Sequence, residues 1–153
     1  MTRFFTIIFF LSIVAIGKAQ DGVNHFFFRG GAVYERAGQV SIGFDFSSKY
    51  HSAYELGLTY YRGRDKYENY LLGLNYKPVI VRNKNANFRF RLGAFGGTDL
   101  KTFVAAPNLG LELVQSISPN VDFIFVNNNG YYFWANKGQR WRIAAEVGLR
   151  FPL

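Results

Sequence analysis

The chain has no cysteine, only 4 prolines in 153 residues, and few charges: 18% against 19% aromatics. Without thiols there can be no disulfide framework, no thiolate metal site, no cysteine nucleophile and no lipid-modified N-terminal cysteine. The two histidines, His25 and His51, do not have metal-ligand spacing. Gly93-Ala94-Phe95-Gly96-Gly97 lacks the Lys-Ser/Thr pair and the strand-to-helix setting of a phosphate loop, so no cofactor is implied. After the first twenty residues no apolar run reaches the roughly 20 residues that a membrane-crossing helix needs. The formal charge of +8 has no recognition motif behind it, and direct nucleic-acid binding is not expected. With half of the residues apolar, disorder is excluded as well.

What the chain does contain starts with an address. Met1-Thr2-Arg3 is a short basic start, Phe4 to Ile16 is almost wholly apolar, and Gly17-Lys18-Ala19 ends in small residues. This order marks residues 1–19 as a secretory signal peptide, cleaved before Gln20, with 20–153 as one exported domain. Loss of Arg3 and Lys18 leaves a formal charge of +6.

Downstream the pattern alternates with period two, the signature of strands with one apolar and one polar face. The last segment is the clearest. Trp141, Ile143, Ala145, Val147, Leu149, Phe151 and Leu153 share one parity, and Arg140, Arg142, Ala144, Glu146, Gly148, Arg150 and Pro152 the other. Eight such segments can be counted. In the first (His25 to Tyr34) and the seventh (Val121 to Tyr132), Phe27, Ile124 and Val126 interrupt the polar face. Connectors rich in turn residues separate them, including Ser47–His51, Arg82–Asn87, Gly96–Thr102, Ser116–Asn120 and the Asn127–Gly138 region. The expected fold is all-β: an eight-stranded antiparallel up-and-down barrel, whose closure leaves no free edge.

A soluble barrel turns its apolar face inward, and an outer-membrane barrel turns it toward lipid. Gly43, Gly57, Gly73, Gly93, Gly110 and Gly148 all lie on the polar parity, where a narrow lumen would need small residues. Aromatics gather at the ends of the apolar parity: Phe26, Phe46, Tyr54, Tyr76, Phe88, Phe123 and Phe151 at one end, Tyr34, Tyr60, Tyr70, Tyr131 and Trp141 at the other. These resemble interfacial girdles. The polar parity carries Arg29, Lys77, Arg89, Arg91, Arg142 and Arg150 against Asp45, Glu55, Glu112, Asp122 and Glu146. Inside a lumen these groups would pair and fill the bore. Facing mid-bilayer lipid, each Lys or Arg would cost roughly 2–4 kcal/mol. The expectation is therefore a transmembrane barrel in the outer membrane of a Gram-negative bacterium.

Glu146, Gly148, Phe151 and Leu153 occupy the places of the C-terminal signal read by the barrel-assembly machinery, although Leu stands last where Phe is commonest. Arg62, Arg64 and Lys66, with Arg36, Lys101 and Lys137, form a basic rim suited to lipopolysaccharide phosphates. Ser47, Ser48 and His51 share one connector, which leaves a membrane-embedded lipid hydrolase or acyltransferase as an alternative. A general structural or adhesion barrel is another.

Residues 69–79 (Asn-Tyr-Leu-Leu-Gly-Leu-Asn-Tyr-Lys-Pro-Val), Gly110-Leu111-Glu112-Leu113, Ser118-Pro119-Asn120-Val121, Trp134 and Val147-Gly148-Leu149-Arg150-Phe151 resemble the conjugal transfer protein TraO family of Bacteroides-type conjugative transposons. That resemblance spans the C-terminal two-thirds of the chain. It implies an outer-membrane component of a conjugative transfer apparatus, with other transfer proteins as partners and no catalytic residues. The connectors here are shorter than is usual in that family. An eight-stranded bore filled by its own side chains would not be the DNA channel.

Overall fold

The computed structural model describes residues 22–34, 36–48, 51–63, 66–135 and 140–153. The signal segment 1–19, Arg64 and Lys137 lie outside the described residues. Nine strand segments follow one another: β1 (His25–Val33), β2 (Ala37–Ser47), β3 (Ala53–Arg62), β4 (Glu68–Lys77), β5 (Val79–Arg82), β6 (Ala86–Thr98), β7 (Phe103–Ser118), β8 (Val121–Tyr131) and β9 (Trp141–Pro152). All pairings are antiparallel.

The segments make eight staves rather than nine. Both β4 and β5 pair with β6, in one register on either side of Pro78: Tyr76↔Leu92 and Val79↔Arg89. Proline has no N–H to give the ladder, so the fourth stave is interrupted there, and a bulge follows inside β5, between Val79 and Val81. Sequence alternation runs through this point and shows one segment. Pairing of β1 with β9, from His25↔Pro152 to Val33↔Ala144, closes the sheet into a barrel.

The polar parity faces inward. Arg29, Asp45, Glu55, Lys77, Arg91, Glu112 and Glu146 are all buried, while Ile42, Leu58, Leu74, Leu111 and Ile143 are exposed on the outer wall. Leu74 retains 60% of its accessible surface and is one of many exposed apolar side chains on that wall, a larger apolar area than a protein surrounded by water ordinarily exposes.

Several strand ends lie further along than the turn residues suggest. β6 continues through Gly96 and Gly97 to Thr98, leaving a tight Asp99–Thr102 reversal, and β7 continues to Ser118. β8 runs to Tyr131, so Asn127, Asn128 and Asn129 are strand residues, not a connector. Ladder partners on β7 and β9 outweigh the low strand propensity of asparagine. At the end away from the termini, the described residues of the four connections include Arg36, Lys66, Leu100 and Trp134 in the left-handed region, one in each.

The glycines have a different reason from lumen crowding alone. A Cβ on Gly57 or Gly73 would meet the ring of Phe27 (3.1 Å) or Phe95 (2.4 Å), which is crowding. On Gly43, Gly93, Gly110 and Gly148 it would instead meet the neighbouring strand's carbonyl oxygen at 2.1–2.2 Å. At those four positions the sheet bends so sharply that adjacent backbones occupy the side-chain space, as glycine kinks in closed sheets do.

Candidate functional site

The lumen is built in two storeys. Nearer the termini, Glu55 is the hub. It receives Arg29 through Nη1 and Nη2 at 2.8 Å, Arg91 through both terminal nitrogens at 2.7 Å, and Lys77 at 3.2 Å. Lys77 also reaches Asp45 at 2.6 Å and Glu112 at 3.0 Å, while Arg91 reaches Glu112 at 2.7 Å. Arg29 Nε donates to Glu146 at 2.8 Å, and Glu146 further accepts from Gln39, Ser41 and Asn128. Arg89 is held more loosely by Glu112 (3.4 Å). Arg150 bridges Asp122 (2.7 Å) and Asp45 (3.5 Å).

Each of these charges is desolvated, and its cost is offset only because several opposite charges and amides converge on it. Phe27, Ile124 and Val126 interrupt the alternation because they are lumen residues too. Phe27 and Ile124 pack with Val114, and the Arg29 guanidinium lies 4.5 Å from the Phe27 ring. Beside Arg150 the lumen opens toward the termini as a cleft of about 500 Å³, lined by His25, Ser116, Pro119 and Asp122 among others.

Arg142 belongs to the other storey. Its guanidinium stacks between the rings of Tyr61 (3.7 Å) and Tyr132 (3.8 Å). A desolvated cation–π contact of this kind contributes about 2 kcal/mol. Around it Leu71, Phe95, Val104, Ala106 and Ala135 form an apolar plug, with Val33 and Ala144 beside it. Arginine 142 shares the parity of the other lumen charges, so sequence alternation puts it in their network. Only the inward placement of Tyr61 and Tyr132 shows its different setting.

The other sequence candidates fall in separate places. Gly148 faces the lumen against Arg29, while Phe151 and Leu153 point outward beside the chain end. Glu146, besides its place in the terminal motif, anchors the lumen network. Arg62 sits 3.8 Å from Glu68 and is 63% exposed, and Lys66 is exposed. Ser47 Oγ donates to the Val23 carbonyl at 2.6 Å, and Ser48 N donates to Ser52 O. His51 Nε2 faces Arg82 Nη1, and no hydrogen bond joins it to either serine. Among the described residues these side chains stand on one connector without a hydrogen-bonded relay between them.

The outer wall holds residues that the turn reading obscures. Asn127 and Asn129 follow Phe123 and Phe125 on the lipid-facing parity of β8. Asn129 Nδ2 donates to Asn127 Oδ1 at 2.6 Å, and Asn127 Nδ2 donates to Ala144 O at 3.2 Å. The parity of Phe123, Phe125 and Tyr131 is the sequence signal that places them outside. Beyond them Tyr131, Phe133, Trp134, Trp141 and Phe103 make a continuous aromatic crest, with successive centroids 5.1–6.2 Å apart.

No protein-family model matches the chain, and no characterised protein sequence matches it. Solved structures do. A structure from the de novo design of transmembrane β-barrels superposes with a TM-score of 0.61 at 12% identity, covering 86% of this chain and 96% of that one. The N-terminal β-barrel domain of Pseudomonas aeruginosa OprF gives 0.60 at 16% identity, covering 88% and 98%. The outer-membrane enzyme PagL gives 0.57 at 10%, covering 84% and 99%. The fold is that of a small transmembrane β-barrel. A designed barrel, a barrel domain and an enzyme share it, so the fold alone assigns no chemistry.

Proposed function

We propose that this chain is an outer-membrane barrel of a Gram-negative bacterium that works through its wall and rims, as an accessory component of a conjugative DNA-transfer apparatus. It carries out no chemistry and conducts nothing. The observation that carries this reading is the pairing of an apolar outer wall with a lumen filled by buried ion pairs and an aromatic plug. Such a bore has no room for a strand of DNA.

The conjugative role rests on the resemblance at residues 69–79, 110–113 and 147–151 to the TraO family. Its partners would be lipopolysaccharide at the basic rim, the barrel-assembly machinery at the C-terminal motif, and other transfer proteins. Residues 1–19 would direct export.

Two measurements test the reading at its two levels. Outer-membrane fractionation with heat-modifiable gel migration should find a folded membrane barrel, and a freely soluble product would overturn the location. Deletion of the chain should lower transfer frequency of the mobile element that carries it. Unchanged transfer would overturn the conjugative role and leave the barrel intact as a structural protein.

A further inference from the structure

We propose that the cleft at the terminus end of the lumen binds a carboxylate carried on an apolar body, held by Arg150 and His25. Three observations lead there.

The first is a shortage of hydrogen-bond acceptors. Asp45 Oδ2 serves three cations at once: Lys77 at 2.7 Å, Arg150 at 3.5 Å and Arg89 at 4.0 Å. Arg150 gives its Nε to Asp122, and its Nη2 has no acceptor among the described residues. Arg89 Nε and His25 Nδ1 are enclosed without a partner. His25 Nε2 stands 3.8 Å from Asp122, too far for a hydrogen bond. Against these groups stands one unfilled acceptor at the same mouth, Asn87 Oδ1. Buried polar groups are ordinarily paired, so the group missing here is an acceptor.

The second is access. Arg150 is only 5% exposed, yet it lines the cleft together with His25 and Ser116, so an incoming group meets its guanidinium directly. Arg89 does not line the cleft, but it gains a larger share of Asp45 once Arg150 has a second partner. A guanidinium takes a carboxylate through two N–H groups at once. The terminus-side storey already matches its cations with as many carboxylates, so one added negative charge is tolerated better than the two of a phosphate. Leu71, Phe95 and Val104 plug the other storey, and the ligand therefore enters from the terminus side.

The third is an apolar collar. Val23, Ile117, Pro119 and Val121 edge the cleft, and Val23 and Ile117 are exposed. Leu113, the ladder partner of Phe88 in the aromatic belt, comes four residues before Ile117. Ile117 thus lies about 13 Å further along the strand, past the lipid-covered wall. A register shift between Ser116 and Ser118 bends the strand there, as bulges that re-aim side chains beside binding sites do. An apolar body attached to the carboxylate would cover this collar.

The inference needs the closed barrel and its lumen network, and is independent of any conjugative role. A free apolar acid and the C-terminal end of a polypeptide offer the same group, and two probes separate them.

With the chain refolded in zwitterionic micelles, solution NMR can follow the arginine Nε–H signals. The titrants are hexanoate and N-acetyl-valyl-leucine, each against its neutral amide. The acids should shift the Arg150 and Arg89 signals, and the amides should bind about tenfold more weakly. The acid that binds more tightly identifies the source. Arg150→Gln should lower the affinity for that acid about tenfold while heat-modifiable migration stays normal. Ile117→Ser, which breaks no ion pair, should weaken acid and amide alike by about threefold. The proposal is overturned if acid and amide bind equally, or if inorganic phosphate binds as tightly as the acids. It is equally overturned if Ile117→Ser changes nothing, or if no titrant moves the Arg150 signal, which would leave water as the acceptor. Should Arg150→Gln not fold, the acid–amide comparison on the unaltered chain and Ile117→Ser still decide.

Discussion

The two storeys of the lumen solve the same problem with opposite chemistry. Near the termini, Glu55 collects Arg29, Arg91 and Lys77 in a buried space, and every partner is itself bound by a second carboxylate. Toward the loops, a single guanidinium, Arg142, lies between two tyrosine rings inside an apolar plug. The ionic storey consists of interdependent charges, each justified only by the others. The aromatic storey is mostly ordinary packing. A lesion should therefore spread in the first and stay local in the second.

The largest expected effect follows from removing the hub. Glu55→Leu leaves three buried cations short of a partner and should cost roughly 3–5 kcal/mol of unfolding free energy in urea titrations of the refolded barrel in micelles. A loss under about 1 kcal/mol would mean that the network relaxes freely, and the contrast would fail. Next comes the point where the storeys meet. Gly93 lies between Arg91 and Phe95, and a Cβ there would sit 2.1 Å from Leu74 O. Gly93→Ala should cost about 1–3 kcal/mol by the same titration, as overpacking does. Gly96→Ala, whose nearest contact would be the Phe103 ring at 3.7 Å, should be close to neutral.

Tyr132→Leu removes one of the two rings on Arg142 and should cost about 1–2 kcal/mol. If it matched Glu55→Leu, the aromatic storey would be as interdependent as the ionic one.

The smallest effect lies at the loop end. Partial burial opposes ionisation of Asp99, but N–H donors of Thr102 and Lys101, the Thr102 hydroxyl and Tyr67 Oη outweigh it. The carboxyl is thereby held below its ordinary value of 3.8. A depressed carboxyl stabilises the fold at pH above its unfolded value and loses that contribution as pH falls through the folded one. Protection of the Thr102 amide against hydrogen exchange should drop in that acid window. Asp99→Asn should abolish the pH dependence.

Much of the barrel was legible because period-two alternation survives in any single strand. Val40-Ser41-Ile42-Gly43-Phe44 shows its two faces without reference to its neighbours. The charged lumen set could be read from the same parity, although nothing local says which cation meets which anion. Glu55 and Glu112 look alike in sequence. Glu55 becomes the hub because β3 sets it opposite Arg29, Arg91 and Lys77. The setting of Arg142 was not legible for the complementary reason, since the two rings that sandwich it, Tyr61 and Tyr132, come from β3 and from the segment just after β8. Asn127 and Asn129 were hidden by their composition, which resembles a turn until ladder pairing on both sides makes it a strand.

Cysteine-free composition, scarce charge and alternating aromatics therefore determined the class of protein. A barrel needs neither disulfides nor a helical span when closure pairs every strand and lipid covers the wall. Tertiary structure alone decided where the sheet bends sharply enough to demand Gly43, Gly93, Gly110 and Gly148. It also decided which charges share a partner and that Asn127 and Asn129 belong to a strand. Those outcomes depend on residues from different staves meeting at one height in a tilted, closed sheet; strand alternation fixes which face a residue takes, but leaves open which same-face residues of different staves lie side by side.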